Sequence, residues 1–133
     1  MRKMMMVLML CGCCGGAAAA WVAVPNGDAS TFYADPATLQ KSGNFVRMAI
    51  LLDYKKAQLR DTLDERNRSY QSIKSLSEFD CKEIRWRRLN FTQHSSAMGL
   101  GATINSNPVA GMWEPASAAG AAGGLWKIAC AKK

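Results

Sequence analysis

The chain has 133 residues, 49% of them hydrophobic, and a formal charge of +7 at neutral pH. That length holds one domain of ordinary size and excludes a multidomain enzyme. Its basic residues are interspersed with acids, as in Arg60, Asp61, Asp64, Glu65 and Arg66, and no nucleic-acid motif accompanies them, so the charge favours solubility and anionic partners over nucleic acid.

Arg2 and Lys3 precede an apolar run from Met4 to Leu10, and small residues continue from Cys11 to Ala20. Basic, apolar and small residues in that order form a secretory signal. A spanning helix needs about 20 strongly apolar residues, more than this run supplies. Residues 1–20 are therefore expected to be a signal peptide, and residues 21–133 the domain, with a formal charge of +5, two below that of the whole chain. Two cleavage chemistries fit. Ala18, Ala19 and Ala20 offer the small side chains that ordinary signal peptidase accommodates, giving a new start at Trp21. Leu10, Cys11, Gly12 and Cys13 instead resemble the bacterial lipobox, which makes Cys13 a lipidation candidate and a lipid anchor the one membrane attachment expected; Cys11 stands where Ala or Ser is usual.

Once the signal is gone, Cys81 and Cys130 are the remaining cysteines. An even pair in an oxidising compartment is normally bridged. Two free thiols are the alternative.

The first strand is expected over Trp21 to Val24, ended by the turn formers Pro25, Asn26, Gly27 and Asp28. Thr31, Phe32 and Tyr33 favour a strand. Asp35 as a cap and Pro36 at a first helical position predict one helical turn after them, closed by Ser42, Gly43 and Asn44. Phe45 to Tyr54 is the clearest strand, with Val46, Met48, Ile50, Leu52 and Tyr54 on one face. Its other face is half apolar as well, so both sides should be covered, by a helix, a second sheet or a second subunit.

Lys55 to Asn67 reads as a charged connection or a short surface helix, and Ser69 to Cys81 as the returning strand. In the next strand, Glu83 to His94, Ile84 and Trp86 share one phase while Leu89 and Phe91 share the other. A switch of phase at Arg87 and Arg88 predicts a bulge or bend. Ser95 to Gly111 is loop-like, with a brief strand at Thr103 and Ile104. The Ala/Gly tract from Ala116 to Gly124 is flexible or weakly helical, and Leu125 to Ala131 has helical spacing.

Chemistry is sparse. His94 is the one histidine, and no carboxylate at a recognisable spacing completes a triad with it and Ser95 or Ser96. No catalytic residue, metal site or cofactor is expected, since zinc needs several His or Cys ligands. Gly99, Leu100 and Gly101 lack the helix and the Lys of a phosphate loop. Asn90, Phe91 and Thr92 form a glycosylation triplet in mid-strand. One constellation suits binding: Arg85, Arg87 and Arg88 around Trp86, with Lys55 and Lys56 nearby. Guanidinium groups pair bidentately with carboxylates and sulfates, and exposed aromatics add rigid contact area.

Taken together, Trp21–Val22, Phe32 to Asp35, Gly43–Asn44, Leu52 to Lys55, Lys74 to Cys81, Arg85 to Arg88, Met98–Gly99, Trp113, Pro115 and Leu125 to Cys130 resemble the surface-adhesin protein E family of bacteria. The likeness covers nearly all of residues 21–130. It implies an α+β fold: a single antiparallel β-sheet of about five or six strands, with a short C-terminal helix held against it by a bridge between Cys81 and Cys130. It also implies secretion, often as a lipoprotein, binding rather than catalysis, attachment to host extracellular matrix or plasma proteins, and homodimers in some members. Residues 57–68 are longer and more charged than the family pattern, and the Ala/Gly tract is unusual. Connections are where binding determinants sit, so the ligand does not transfer. Two readings follow: an adhesin-like protein displayed at the outer membrane or cell surface, lipidated at Cys13, or a soluble periplasmic interaction module cleaved before Trp21.

Overall fold

The computed structural model describes residues 20–59, 69–117 and 119–131. Cys13 and the charged stretch at 60–68 lie outside the described residues. Gly27 and Gly43 take φ of 72° and 60°, values open to glycine at no steric cost, and each closes a tight reversal. The chain thus pleats back and forth through β1 (Val22–Asn26), β2 (Ser30–Ser42), β3 (Phe45–Gln58), β4 (Tyr70–Asp80), β5 (Arg85–His94) and β6 (Thr103–Asn107). These strands are antiparallel and lie side by side in chain order. A two-residue β7 (Glu114–Pro115) returns to pair with Arg85 and Trp86, on the half of β5 that β6 leaves open. The helix α1 (Ala121–Cys130) ends the fold, so the predicted α+β architecture holds, with the short β7 added.

The sheet is curled. A flat sheet would set β2 and β5 about 14 Å apart, three strand spacings, yet the rings of Phe32 and Trp86 stand edge-on with centroids 6.3 Å apart. Trp86 also stacks on Phe79. On this concave side lie Phe32, Ala34, Val46, Met48, Ile50, Leu52, Ile73 and Phe79, closed over by Leu125 and Ala129 of α1. β3 is covered on both faces, as its composition predicts. Leu51 points to the convex side and is fully buried. There a 3-10 turn at Ala97–Gly99 lies across β3 and β4: the Met98 amide donates to Asp53 at 2.8 Å and the Gly99 amide to the Ser72 hydroxyl at 2.8 Å.

One local expectation is corrected. Asp35 to Gln40 form no helical turn; β2 runs through them as a wide irregularity in which residues 36–39 stand opposite Met48 alone. The capping chemistry is present but serves the strand. Asp35 accepts from the Ala37 amide, Thr38 donates to the Asp35 carbonyl, and the Thr38 hydroxyl accepts from the Ala49 amide of β3. Side chains of this kind offer the backbone an alternative to helix wherever they stand. For the last part of the Ala/Gly tract the helical alternative holds: Ala121 to Gly124 form the first turn of α1. A Cβ on Gly124 would lie 2.8 Å from Val24, so glycine lets the helix approach β1. The charged run beginning at Lys55 is in part strand, since β3 continues to Gln58.

In β5, Leu89 has no partner, because Ser77 pairs with Arg88 and Leu76 with Asn90. This bulge brings Trp86 and Phe91, of opposite phase in sequence, onto the same concave side. Cys81, just after β4, is bridged to Cys130 at the end of α1, with Cα atoms 5.6 Å apart. The Trp126 indole donates to the Asp80 carbonyl at 2.9 Å beside the bridge.

His94 is buried at the end of β5, one ring nitrogen 2.7 Å from the Thr92 hydroxyl and the other without a partner among the described residues. Burial, and secondly the Lys74 ammonium, hold its pKa below the ordinary value. The imidazole is then neutral in both folded and unfolded chains above about pH 6.5, where it costs nothing. As pH falls below that value the unfolded chain protonates first, and stability is lost down to the folded pKa. The urea midpoint should therefore drop between pH 7 and pH 5.5, and the drop should shrink in His94→Gln; equal slopes in both proteins would refute this.

Candidate functional site

On the convex side, near the β3 start, the register sets two rows of side chains across three strands. Arg47, Glu78 and Arg87 form one row, and Phe45, Asp80 and Arg85 the other. Alternation alone puts them there, since each strand contributes residues two apart and such residues share a face.

Within the first row, Glu78 is held from both sides. Arg47 donates through Nε to Oε2 at 3.1 Å, and Arg87 through Nε and Nη2 to Oε1 at 3.1 and 2.9 Å. In the second row, Asp80 accepts from Arg85 Nε at 3.0 Å and from the Lys82 and Glu83 amides, so it also shapes the turn into β5. Burial pushes the Asp80 carboxyl upward, but the Glu83 amide, the Arg85 guanidinium and the Lys82 amide together hold it below the usual carboxylate range.

Trp113, from the segment before β7, roofs these rows. Its ring lies 4.5 Å from the guanidinium carbons of both Arg85 and Arg87 and has its centroid 5.9 Å from that of Phe45 on β3. It therefore reaches across β4. Pairing of Glu114 with Trp86 fixes its root.

Charge is layered in this cluster. The side chains of Glu78 and Asp80 are 8% and 4% exposed, whereas those of Arg47, Arg85 and Arg87 are 51%, 39% and 30% exposed. The acids lie beneath and the guanidiniums face water. Arg47 and Arg85 bond their carboxylates through Nε, and among the described residues their terminal nitrogens have no acceptor. Those free forks match the spacing of a carboxylate or sulfate. Both acids are already committed to arginines, and among the described residues no group of three or more His, Cys, Asp and Glu could hold a metal.

The constellation predicted from the sequence is thus divided into three. Arg85 and Arg87 share the convex face, but Trp86 between them points to the core, half-buried against Phe32 and Phe79. Arg88, although adjacent to Arg87, faces the concave side with Phe91. Lys55 and Lys56 are exposed near Asp28 and Ala29, and eight residues of strand place Lys55 roughly 26 Å from Arg47 along β3. Phe45, Arg47, Glu78, Asp80 and Trp113 join the cluster without having been binding candidates in the sequence. Period-two phase in β4 and β5 could have found Glu78. Nothing local points to Trp113.

A family model described as surface-adhesin protein E matches residues 21–131. Among solved structures the fold is similar to protein E of Haemophilus influenzae: in one crystal form with a TM-score of 0.59 at 12% identity, covering 75% of this chain and 80% of that chain. In another the TM-score is 0.59 at 10% identity, covering 88% and 79%, and in a third 0.54 at 12% identity, covering 89% and 92%. At such identities the likeness is one of fold. The search of curated proteins gives no match.

Proposed function

Because the chain belongs to the surface-adhesin protein E family, we propose that its arginine–tryptophan face is the surface with which it holds an acidic or sulfated segment of a host extracellular matrix or plasma protein. As a member of that family it is an exported, adhesin-like protein of the cell envelope or surface that contacts extracellular host proteins. The family is one of surface adhesins. Supporting the choice of surface is the layering of charge: three outward guanidiniums over two buried carboxylates, beside a rigid indole. A cationic rim of this kind steers an anionic partner and fixes its register.

Residues 1–20 are proposed to direct export, with Cys13 as the lipid-bearing residue if the envelope retains the protein. Beads coated with the protein, applied to fixed host-cell monolayers and to plasma-coated wells, test the surface. Arg85→Gln with Trp113→Ala should reduce retention about tenfold, the scale of losing one charged and one aromatic anchor, whereas Lys55→Gln with Lys56→Gln should change it less than about twofold, as rim charges do. The reverse ranking would move the site to the other end of β3. The intact mass of protein recovered from membranes reads the processing: a diacylated Cys13 start supports the anchor, and a Trp21 start removes it.

A further inference from the structure

The concave side holds a further cavity. The segment from β6 to β7 runs along the open edge of β5 there, where the Gly111 amide donates to the Arg88 carbonyl at 2.7 Å. Between segment and sheet is a cavity of about 400 Å³, lined among others by Trp86, Phe91 and Met112 and by the charged Arg87, Arg88 and Glu114. That size is ordinary for a small-molecule site. Ser77 and Ser75 of β4, in register with Arg88 and Phe91, keep the neighbouring sheet shallow.

Arg88 is the anomaly. Arg47, Arg85 and Arg87 each meet a carboxylate within 3.1 Å. Arg88 is half-buried; Glu114 lines the same cavity, but no carboxylate among the described residues lies within 4.0 Å of Arg88, and its guanidinium carbon lies 5.7 Å from the Phe91 ring centroid. Burial pulls its pKa down, while Tyr54, Glu114 and Tyr70 oppose that effect; it stays protonated at neutral pH, as arginine does in proteins. A partly desolvated cation with no carboxylate in contact is stabilised by any anion that reaches it. Val109 and Met112 are 71% and 87% exposed at the rim, so the mouth is apolar as well as open.

We propose that this cavity binds a small organic anion: one carboxylate or sulfonate seated on Arg88, carried by an aromatic or branched apolar body packed on Trp86 and Phe91. Charge complementarity selects the head group, and the aromatic floor selects the body. The site borders the arginine–tryptophan cluster at Arg87 but is built on Arg88, Trp86 and Phe91, and it stands whether or not that cluster is adhesive.

The test uses the oxidised protein and two probes of nearly the same shape, anionic 8-anilinonaphthalene-1-sulfonate and neutral N-phenyl-1-naphthylamine, titrated by fluorescence and by NMR. The anion should bind saturably, shifting the Trp86 indole, the Phe91 ring and the Met112 methyl. Arg88→Gln should weaken the anion about tenfold or more and the neutral probe less than about twofold, since one charge-assisted pair is lost and the apolar contact is not. Met112→Glu, at a rim position that cannot disturb the core, should weaken the anion and spare the neutral probe, with Met112→Gln as its control. The proposal is overturned if both probes respond alike to Arg88→Gln and Met112→Glu, if the shifts spread through the core as in a loosened state, or if the anion does not bind.

Discussion

Cys130→Ser will lower the stability of the domain by about 4 kcal/mol, the loop-closure value for a bridge between residues 49 apart. For a domain of this size that corresponds to a fall in Tm of roughly 15–25 °C. The effect should be large because α1 is ten residues long and has little reason to persist alone: isolated helices shorter than about 12 residues are marginal in water, and two of these ten positions are glycine. Besides the bridge, Leu125 and Ala129 in the core and the Trp126 indole on the Asp80 carbonyl hold it. Reduction of the wild type should reproduce the loss, and Cys81→Ser should match Cys130→Ser. A Tm within about 5 °C of wild type in either variant would mean that packing alone seats the helix.

Glu78→Ala will have the second large effect, about 2–4 kcal/mol in urea unfolding at neutral pH. Breaking a buried ion pair from one side typically costs 3–5 kcal/mol, and partial exposure of both arginines reduces that figure here. Without the carboxylate, Arg47 and Arg87 face each other across β4 over an empty space. Glu78→Gln, which keeps an acceptor, should cost less. Replacing Glu78, Arg47 and Arg87 together by leucine should recover most of the loss, because the penalty comes from stranded charge. If the triple variant were no better than Glu78→Ala, the loss would have to be one of packing.

How far the sequence disclosed this molecule depended on the length of the segment carrying each signal. β3 was readable because Val46 to Tyr54 alternates over nine residues, and its double coverage followed from Leu51 and Ala49 on the second face. The phase break in β5 announced the bulge, one residue from where Leu89 is extruded. β7, two residues long, carries no periodicity, and with it Trp113 was out of reach. At Asp35 and Pro36 the capping residues were identified correctly and their use was not, because their acceptor chemistry serves an irregular strand once Ala49 is alongside. Ala121 to Gly124 are helical through their neighbours: α1 packs on β1 and is bridged to Cys81, and composition alone says neither. The basic residues misled by adjacency. Arg87 and Arg88 are consecutive, yet the sheet sends one to each face.

The placement of the bridge has a mechanical consequence for a member of a surface-adhesin family. Residues 81 to 130 form a covalent ring, so tension drawn between the two ends of the chain cannot unspool them, and roughly 160 Å of slack, at about 3.3 Å per residue, is withheld. Arg85, Arg87 and Trp113 all lie inside that ring. Under load, the hairpins of β1 to β4 can lengthen as a spring, drawing Arg47 and Glu78 away with them, while Arg85, Arg87 and Trp113 stay tied together.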